Sequence, residues 1–308
     1  MRKKSSKKYG VNSLLNRSQS AMEYLMTYGW AILIIAIVLV ALFSLGIFNS
    51  ANFAPRAQPG SCEVLRNSAQ TSLVGQCNGM LPEYVAQFGG TGGSSYFMTN
   101  ITHPSYITLP SSVFPSGNMQ AFTYTAWIKV NSPRVVTQGD GIINIGKAGF
   151  QTGYCGTLCL HQCNSLGDAG VDFSNNLFEG TWYFVGVSFN YSGGANKLIF
   201  YLDGQSASTT TGVVPISGIA YIGQVSDCYN YYFNGTISNV QVYNASLSNA
   251  SIQTLYKEGI GGAPINVNNL VGWWPLNGNA NDYSGNDNNG VPINVTYTSA
   301  WTSGYSTP

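Results

Sequence analysis

Charged side chains are scarce in this sequence: 13 Lys and Arg and 12 Asp and Glu in 308 residues, or 8%. Six of the basic residues fall in the leader MRKKSSKKYGVNSLLNRS, which holds no acid. Without that leader, 13 − 6 leaves 7 bases against 12 acids, a net charge of −5. A body so poor in cations excludes the multi-phosphate grip on which nucleic-acid binding depends, so no nucleic-acid partner is expected. Histidine is scarcer still. With only His103 and His161, no Ser-His-Asp set is visible.

The residues Gln19 to Phe48, QSAMEYLMTYGWAILIIAIVLVALFSLGIF, stand out against this background. No charge occurs from Tyr24 to Phe48, and the 19 residues from Trp30 to Phe48 are almost purely apolar. As a helix that stretch is roughly 28 Å long, close to the ~30 Å of bilayer hydrocarbon, so it is expected to span a membrane. The basic leader holds its own end in the cytoplasm and sends the remainder outside. Glu23 is a lone carboxylate at the mouth of the run, costly there without a partner. A plain anchor, or a conventional signal peptide cut near Ser50 or Ala51, is one reading. The other comes from Arg17-Ser18-Gln19-Ser20-Ala21-Met22-Glu23, which resembles the class III signal peptides of archaeal type IV pilins. That resemblance implies cleavage by an archaeal prepilin peptidase between Ser18 and Gln19, with Gln19 the first mature residue and Glu23 the fifth. It also implies that Glu23 pairs with the free amine of Gln19 in a like subunit when helices pack into a filament. Ser18 stands where the family more often has Gly, and Ala21 where it often has Ser.

The chain divides into a leader (1–18), the apolar helix (19–48), a linker (49–60), a connecting segment (61–83) and an ectodomain (84–308). Pro55 and Pro59 mark the linker. Cys62 and Cys77 bracket a loop whose closure by a disulfide would contribute about 3 kcal/mol. From Tyr84 onward, short alternating stretches follow one another, among them AFTYTAWIKV (121–130), GIINIG (141–146) and WYFVGVSFNY (182–191). Asp203-Gly204 is a type I′ hairpin signal. One helix is expected, with Ser248 as N-cap, Ile252, Leu255 and Tyr256 on one face, and Gly259 as stop, packed across an edge of the sandwich. The fold class is therefore all-β: an N-terminal hydrophobic helix followed by a two-sheet antiparallel sandwich.

The stretches Phe122 to Val130, Trp182 to Val187, Leu198 to Gly204, Ile219 to Gly223 and Phe233 to Tyr243 resemble the laminin G-like, or concanavalin A-like, jelly roll. The resemblance covers about Tyr84 to Gly259. It implies a domain that binds glycans or proteins, in some members with Ca²⁺. LVGWWPLNGNANDYSGNDNNG (270–290) looks like the segment that usually opens such a domain, yet here it follows the motifs that close one. Leu270 to Leu276 and Val291 to Thr298 are expected to return and complete the sandwich, as in a circular permutation. Some relatives of the fold cleave glycans with carboxylates arranged Glu-x-Asp-x-x-Glu. That motif is absent, Glu179 and Asp172 are isolated, and the chain is not expected to be an enzyme.

Cys155, Cys159, Cys163 and Cys228 are expected to form disulfides outside the cell, in one of three pairings. With His161 the same cluster has the donor types of a Zn²⁺ site. Sequons at Asn100, Asn190, Asn234, Asn244, Asn249 and Asn294 are candidate glycosylation sites. Tyr229, Tyr231, Tyr232 and Trp301 are candidate glycan contacts, whereas Trp182 reads as core. Asp168, Asp172, Asp227, Asp282 and Asp287 are candidate Ca²⁺ ligands, although Asp282 and Asp287 equally read as turn caps. The protein expected from all this is a structural and adhesive subunit of an archaeal type IV pilus-like filament. It would sit at the membrane and cell surface and display a lectin-like domain. A membrane-anchored lectin-like surface glycoprotein that never polymerises is the alternative.

Overall fold

The computed structural model describes residues 12–44, 81–89, 104–113, 117–118, 120–131, 139–146, 148–153, 158–161, 169–173, 177–191, 196–211, 215–216, 219–226 and 231–300. The chain forms two compact units, Met1–Arg56 and Ala57–Pro308. In the first, helix α1 runs from Asn12 to Ser44, so it begins seven residues before Gln19. Its described apolar side chains, from Met26 through Trp30 and Ile32 to Val40, are exposed within this unit. Among the described residues, no helix is long and apolar enough to cross a membrane.

The second unit opens with β1 (Tyr84–Gly89), β2 (Tyr106–Leu109), β3 (Gly117–Asn118), β4 (Ala121–Val130), β5 (Asp140–Ile145), β6 (Ala148–Thr152), β7 (Leu158–His161) and β8 (Ala169–Val171). It continues with β9 (Trp182–Asn190), β10 (Asn196–Leu202), β11 (Gln205–Thr211), β12 (Pro215–Ile216), β13 (Ala220–Ile222), β14 (Gln224–Val225), β15 (Tyr231–Tyr232) and β16 (Asn234–Tyr243). Helix α2 (Asn249–Glu258) follows, then β17 (Leu270–Trp274), β18 (Val291–Ile293) and β19 (Val295–Ser299). The first sheet has the order β11-β10-β9-β4-β16-β1-β19, with β17 also paired to β16; the second has the order β18-β2-β13-β5-β6-β7-β8. The pairings along both are antiparallel.

Alternation along the strands decides which face is buried. In β4, Phe122, Tyr124, Ala126, Ile128 and Val130 join the core between the sheets. From the second sheet, Ile107, Leu109, Ile143, Ile145, Phe150 and Ile222 meet them. The Phe122 ring stacks on Tyr124 at 4.5 Å and on Phe189 at 5.3 Å. Asp203 and Gly204 turn the β10–β11 hairpin at φ 47° and 77°, the two positive values that a type I′ turn requires.

The outward residues of the first sheet are also apolar in part, and they need a cover. Trp127, Phe184, Tyr201 and Tyr243 form a second cluster with Leu247, Ile252, Leu255, Ile260, Leu270 and Trp273. Helix α2 therefore lies on the outer face of this sheet rather than across an edge. Ser248 caps it by accepting a hydrogen bond from the Ser251 amide, and Gly259 ends it at φ 78°. The C-terminal strands enter both sheets: β17 and β19 pair with β16 and β1 in the first, and β18 pairs with β2 in the second. Trp273 and Trp274 are thereby buried, and their indole N–H groups donate to Asn239 Oδ1 at 2.7 Å and the Asn288 carbonyl at 2.9 Å.

Candidate functional site

The outer face of the second sheet carries the most distinctive set of side chains. Tyr106 and Thr108 of β2 alternate with buried Ile107 and Leu109, and Tyr221 of β13 lies between buried Ala220 and Ile222. Thr108 pairs with Tyr221 on one side and with Val291 on the other, while Tyr106 pairs with Ile293. Tyr106 meets Tyr221 edge to face at 5.6 Å and Tyr232 at 6.0 Å. All three rings are half-buried, and Val291 beside them is 60% exposed. Burial pushes the Tyr232 and Tyr221 hydroxyls above their usual pKa, with a smaller push from Tyr106. They are neutral donors and acceptors at physiological pH.

Tyr232 reaches this face because the small β14–β15 hairpin folds over β5 and β6. Two glycines permit the contact. A Cβ on Gly141 would stand 2.4 Å from the Val225 amide nitrogen and 2.5 Å from the Tyr231 carbonyl. A Cβ on Gly149 would stand 2.4 Å from Val225 Cγ1. Beneath and beside the hairpin lie polar side chains withdrawn from solvent: Asn144, Gln151, Thr152, Asp140 and Gln224. Asn144 Nδ2 donates to the Gly146 carbonyl and Gln224 Nε2 to the Tyr232 hydroxyl. Among the described residues, Asn144 Oδ1, Thr152 Oγ1 and both amide atoms of Gln151 have no hydrogen-bond partner. Unpaired buried groups of this kind cost about 1–3 kcal/mol each. Aromatic faces beside amide and hydroxyl groups can stack on a polyhydroxylated ring and hydrogen-bond its rim.

The structure separates the residues expected from sequence. Tyr232 belongs to the platform, whereas Tyr231 is buried against Val225, its cross-strand partner, and is a poor surface contact. Tyr229 and Trp301 lie outside the described residues. Tyr106 and Tyr221 were missed, although both sit in alternating stretches, Tyr106-Ile107-Thr108-Leu109 and Ala220-Tyr221-Ile222. Trp182 is half-buried on the outer face of the first sheet, with Lys129 Nζ 5.1 Å from its ring centroid, rather than between the sheets.

Asp282 is closed to a cation by protein donors. Its Oδ1 accepts from the amides of Trp273 and Ser284 at 2.9 and 2.8 Å, and its Oδ2 from Ser284 Oγ and the Asn288 amide at 2.8 and 2.9 Å. Asp287 Oδ1 accepts from Asn289 Nδ2 at 2.7 Å. Both serve the turn. Asp172 is exposed, and Asp168 and Asp227 lie outside the described residues. Among the described residues no three His, Cys, Asp or Glu side chains gather. Cys159 and His161 fall on β7, where the backbone alone is described; Cys62, Cys77, Cys155, Cys163 and Cys228 lie outside the described residues. Ser18, Gln19 and Glu23 lie on α1, again as backbone alone.

Two antiparallel sheets packed face to face, with a helix on one outer face and aromatics on the other, define a jelly-roll β-sandwich. A model of the concanavalin A-like lectin/glucanases superfamily, laminin G type, matches residues 102–253. A candidate carbohydrate-binding protein from Bacteroides ovatus is similar in structure, with 19% identity and a TM-score of 0.52, covering 71% of this chain and 60% of that one. The heptameric SAP-like pentraxin of Limulus polyphemus follows at 15% identity and a TM-score of 0.47, covering 70% of this chain and 95% of that one. Domains LG4-5 of the mouse laminin alpha1 chain give 13% and 0.37, over 54% and 44% of the two chains. The chain thus spans about 60% of the length of the Bacteroides protein. No curated protein matches the sequence. Residues 102–253 are thus similar to laminin G-like, concanavalin A-like domains, and the fold is a jelly-roll sandwich.

Proposed function

We propose that the jelly roll binds carbohydrate on the outer face of its second sheet, in a surface subunit of an archaeal type IV pilus-like filament. The observation that carries the binding half is the platform of Tyr106, Tyr221 and Tyr232, with Thr108 and Val291 beside it. Half-buried rings held by a rigid sheet lose little freedom when a ligand stacks on them, and neutral hydroxyls suit an uncharged polyol. The structural likeness to a candidate carbohydrate-binding protein agrees with this reading. The site binds without cutting.

The filament half rests on sequence. Ser18-Gln19 is the proposed cut for an archaeal prepilin peptidase, Glu23 the proposed partner of a neighbouring Gln19 amine, and the apolar sequence Gln19 to Phe48 the proposed membrane-stored and later filament-packed segment. The ectodomain then lies outside the cell, where a glycan or surface protein is its ligand. The alternative, an anchored lectin that never polymerises, shares the binding half and omits Glu23.

Two experiments test the two halves separately. Glycan-array binding of the full chain should fall when Tyr106 or Tyr221 becomes Ala; about 0.5–1.5 kcal/mol per ring corresponds to roughly two- to tenfold in affinity. Unchanged binding in both variants, or release of reducing sugar from a bound glycan, overturns the reading of the face. Intact-mass analysis of the native protein should place the mature N-terminus at Gln19, and Glu23→Ala should abolish filaments without unfolding the domain. A start near Met1 with indifferent Glu23→Ala supports the anchored alternative, and a start after Phe48 refutes both.

A further inference from the structure

The tyrosine platform has an aliphatic rim, and the rim narrows the kind of sugar that fits. β18 is the edge strand of the second sheet. Its Val291 and Ile293 pair with Thr108 and Tyr106, so both side chains stand on the outer face beside the rings. Val291 is 60% exposed and Ile293 is half-buried. Pro292 between them fixes its own φ and has no N–H to offer, which suits an edge strand and holds its two neighbours with little freedom. Across the face the order is Val291, Thr108, Tyr221, with Tyr106 one step along β2 on the same side. Neighbouring strands lie about 4.8 Å apart, so Val291 is one strand spacing from Thr108 and two from Tyr221. A ring stacked on Tyr106 and Tyr221 turns its rim toward Val291, over the Thr108 hydroxyl.

An exposed valine by itself needs no explanation, since single apolar side chains are common on protein surfaces. Here Val291 and Ile293 continue the apolar surface of the rings, and Thr108 supplies the polar group among them. A substituent that meets Val291 loses water and gains no hydrogen bond from that side chain. A hydroxymethyl group would surrender hydrogen bonds there, whereas a methyl group surrenders none and gains from burial. Ionic substituents fare worse. Strands β2, β13, β14, β15 and β18 read YITL, AYI, QV, YY and VPI, without Lys, Arg, His, Asp or Glu. A carboxylate or sulfate brought onto these strands finds no cation on them to offset its lost hydration.

We infer that the platform takes a neutral sugar that carries a methyl group, with the ring on Tyr106 and Tyr221 and the methyl on Val291. The inference rests on the proposed glycan-binding face and names what that face selects. Two sugar classes carry such a methyl: a 6-deoxyhexose, in which it replaces the hydroxymethyl, and an N-acetylhexosamine, in which it ends the acetamido group.

Matched pairs of sugars that differ at one substituent test it on the full chain by saturation-transfer NMR titration: L-fucose against L-galactose, L-rhamnose against L-mannose, and N-acetylglucosamine against glucose. Burial of one methyl group corresponds to about fourfold in affinity, so the methyl-bearing member of at least one pair should bind about fourfold tighter or more. A preference in the first two pairs identifies a 6-deoxyhexose, and one in the third an N-acetylhexosamine. Val291→Thr keeps the β-branched shape and exchanges a methyl for a hydroxyl. It should reduce the preference below about twofold and leave the affinity for the methyl-free partner unchanged or raised. Equal binding within all three pairs, or a preference that Val291→Thr leaves intact, overturns the inference. Tyr106→Ala separates the causes. Sugars that bind, lose affinity in Tyr106→Ala and are not told apart by their methyl groups sink this inference alone. No binding by any of the six sugars, or binding indifferent to Tyr106→Ala, sinks the proposed face with it.

Discussion

Asp282 should be a structural carboxylate, and its removal should be among the most damaging single changes in the C-terminal segment. Four donors converge on it: the amides of Trp273, Ser284 and Asn288, and the Ser284 hydroxyl, all at 2.8–2.9 Å. Trp273 is 2% exposed and Asn288 3%, so at least two of the deserted amides have poor access to water in Asp282→Ala. At about 1–3 kcal/mol for each buried unpaired donor, discounted because Asp282 is only half-buried, the loss should be about 3–4 kcal/mol. A domain of this size loses roughly 2–4 °C of melting temperature per kcal/mol, so a drop of about 10 °C is expected. Asp282→Asn keeps one acceptor and turns the other oxygen into a donor facing the Asn288 amide, and should cost about half as much. Thermal unfolding of the full chain, followed by tryptophan fluorescence, reads both variants, because Trp273 and Trp274 flank the site. A shift below about 2 °C for Asp282→Ala, or a stability of the parent chain that drops on calcium chelation and no longer does so in Asp282→Asn, refutes the account.

Gly141→Ala should lift the β14–β15 hairpin, since the new methyl meets backbone atoms of Val225 and Tyr231; glycan affinity should fall roughly tenfold or more while the far-ultraviolet circular dichroism is kept, and an unchanged affinity would separate Tyr232 from the site. Burial raises the Asp203 carboxyl above its usual 3.8 despite the opposing hydrogen bond from the Phe184 amide at 2.7 Å. The folded state therefore holds that proton more tightly than the unfolded chain, and stability falls as pH rises from about 3.8 through the raised value. Asp203→Asn keeps the acceptor and the hairpin turn and should flatten this slope above pH 4, as urea midpoints against pH will show; a steeper slope contradicts it. Burial also raises Tyr124 and Tyr243, and lifts Tyr201 and Tyr297 to about 12. Unfolded tyrosines ionise first, so stability should be lost as pH climbs past 10, and a fraction of the tyrosinate absorbance should appear only together with unfolding. Smooth titration of every tyrosine in a domain still folded would count against the packing described.

How far the sequence reaches depends on the range of the interaction concerned. Strand period, the Asp203-Gly204 turn and the Ser248 and Gly259 caps are set by residues within a few positions of one another, and the sandwich class was legible from them. The resemblance to the jelly roll added the order of motifs. Scarce charge, two histidines and a basic leader are properties of composition and need no fold at all. Helix α2 was legible as a helix, but its seat on the outer face of the first sheet was not, because the apolar surface it covers is assembled from Trp127, Phe184 and Tyr201 on three different strands. The same distance hid the tyrosine platform: Tyr106, Tyr221 and Tyr232 are brought together by the β2–β13 pairing and by a hairpin that two glycines allow to lie flat. It also misassigned Tyr231, whose neighbour in sequence faces solvent while it faces the sheet. Sequence supplied six sequons and five candidate Ca²⁺ ligands as residue types. Tertiary structure decided that Asp282 is saturated by donors 2 to 9 residues away, since hydrogen-bond partnership is a matter of position in space and not of residue type.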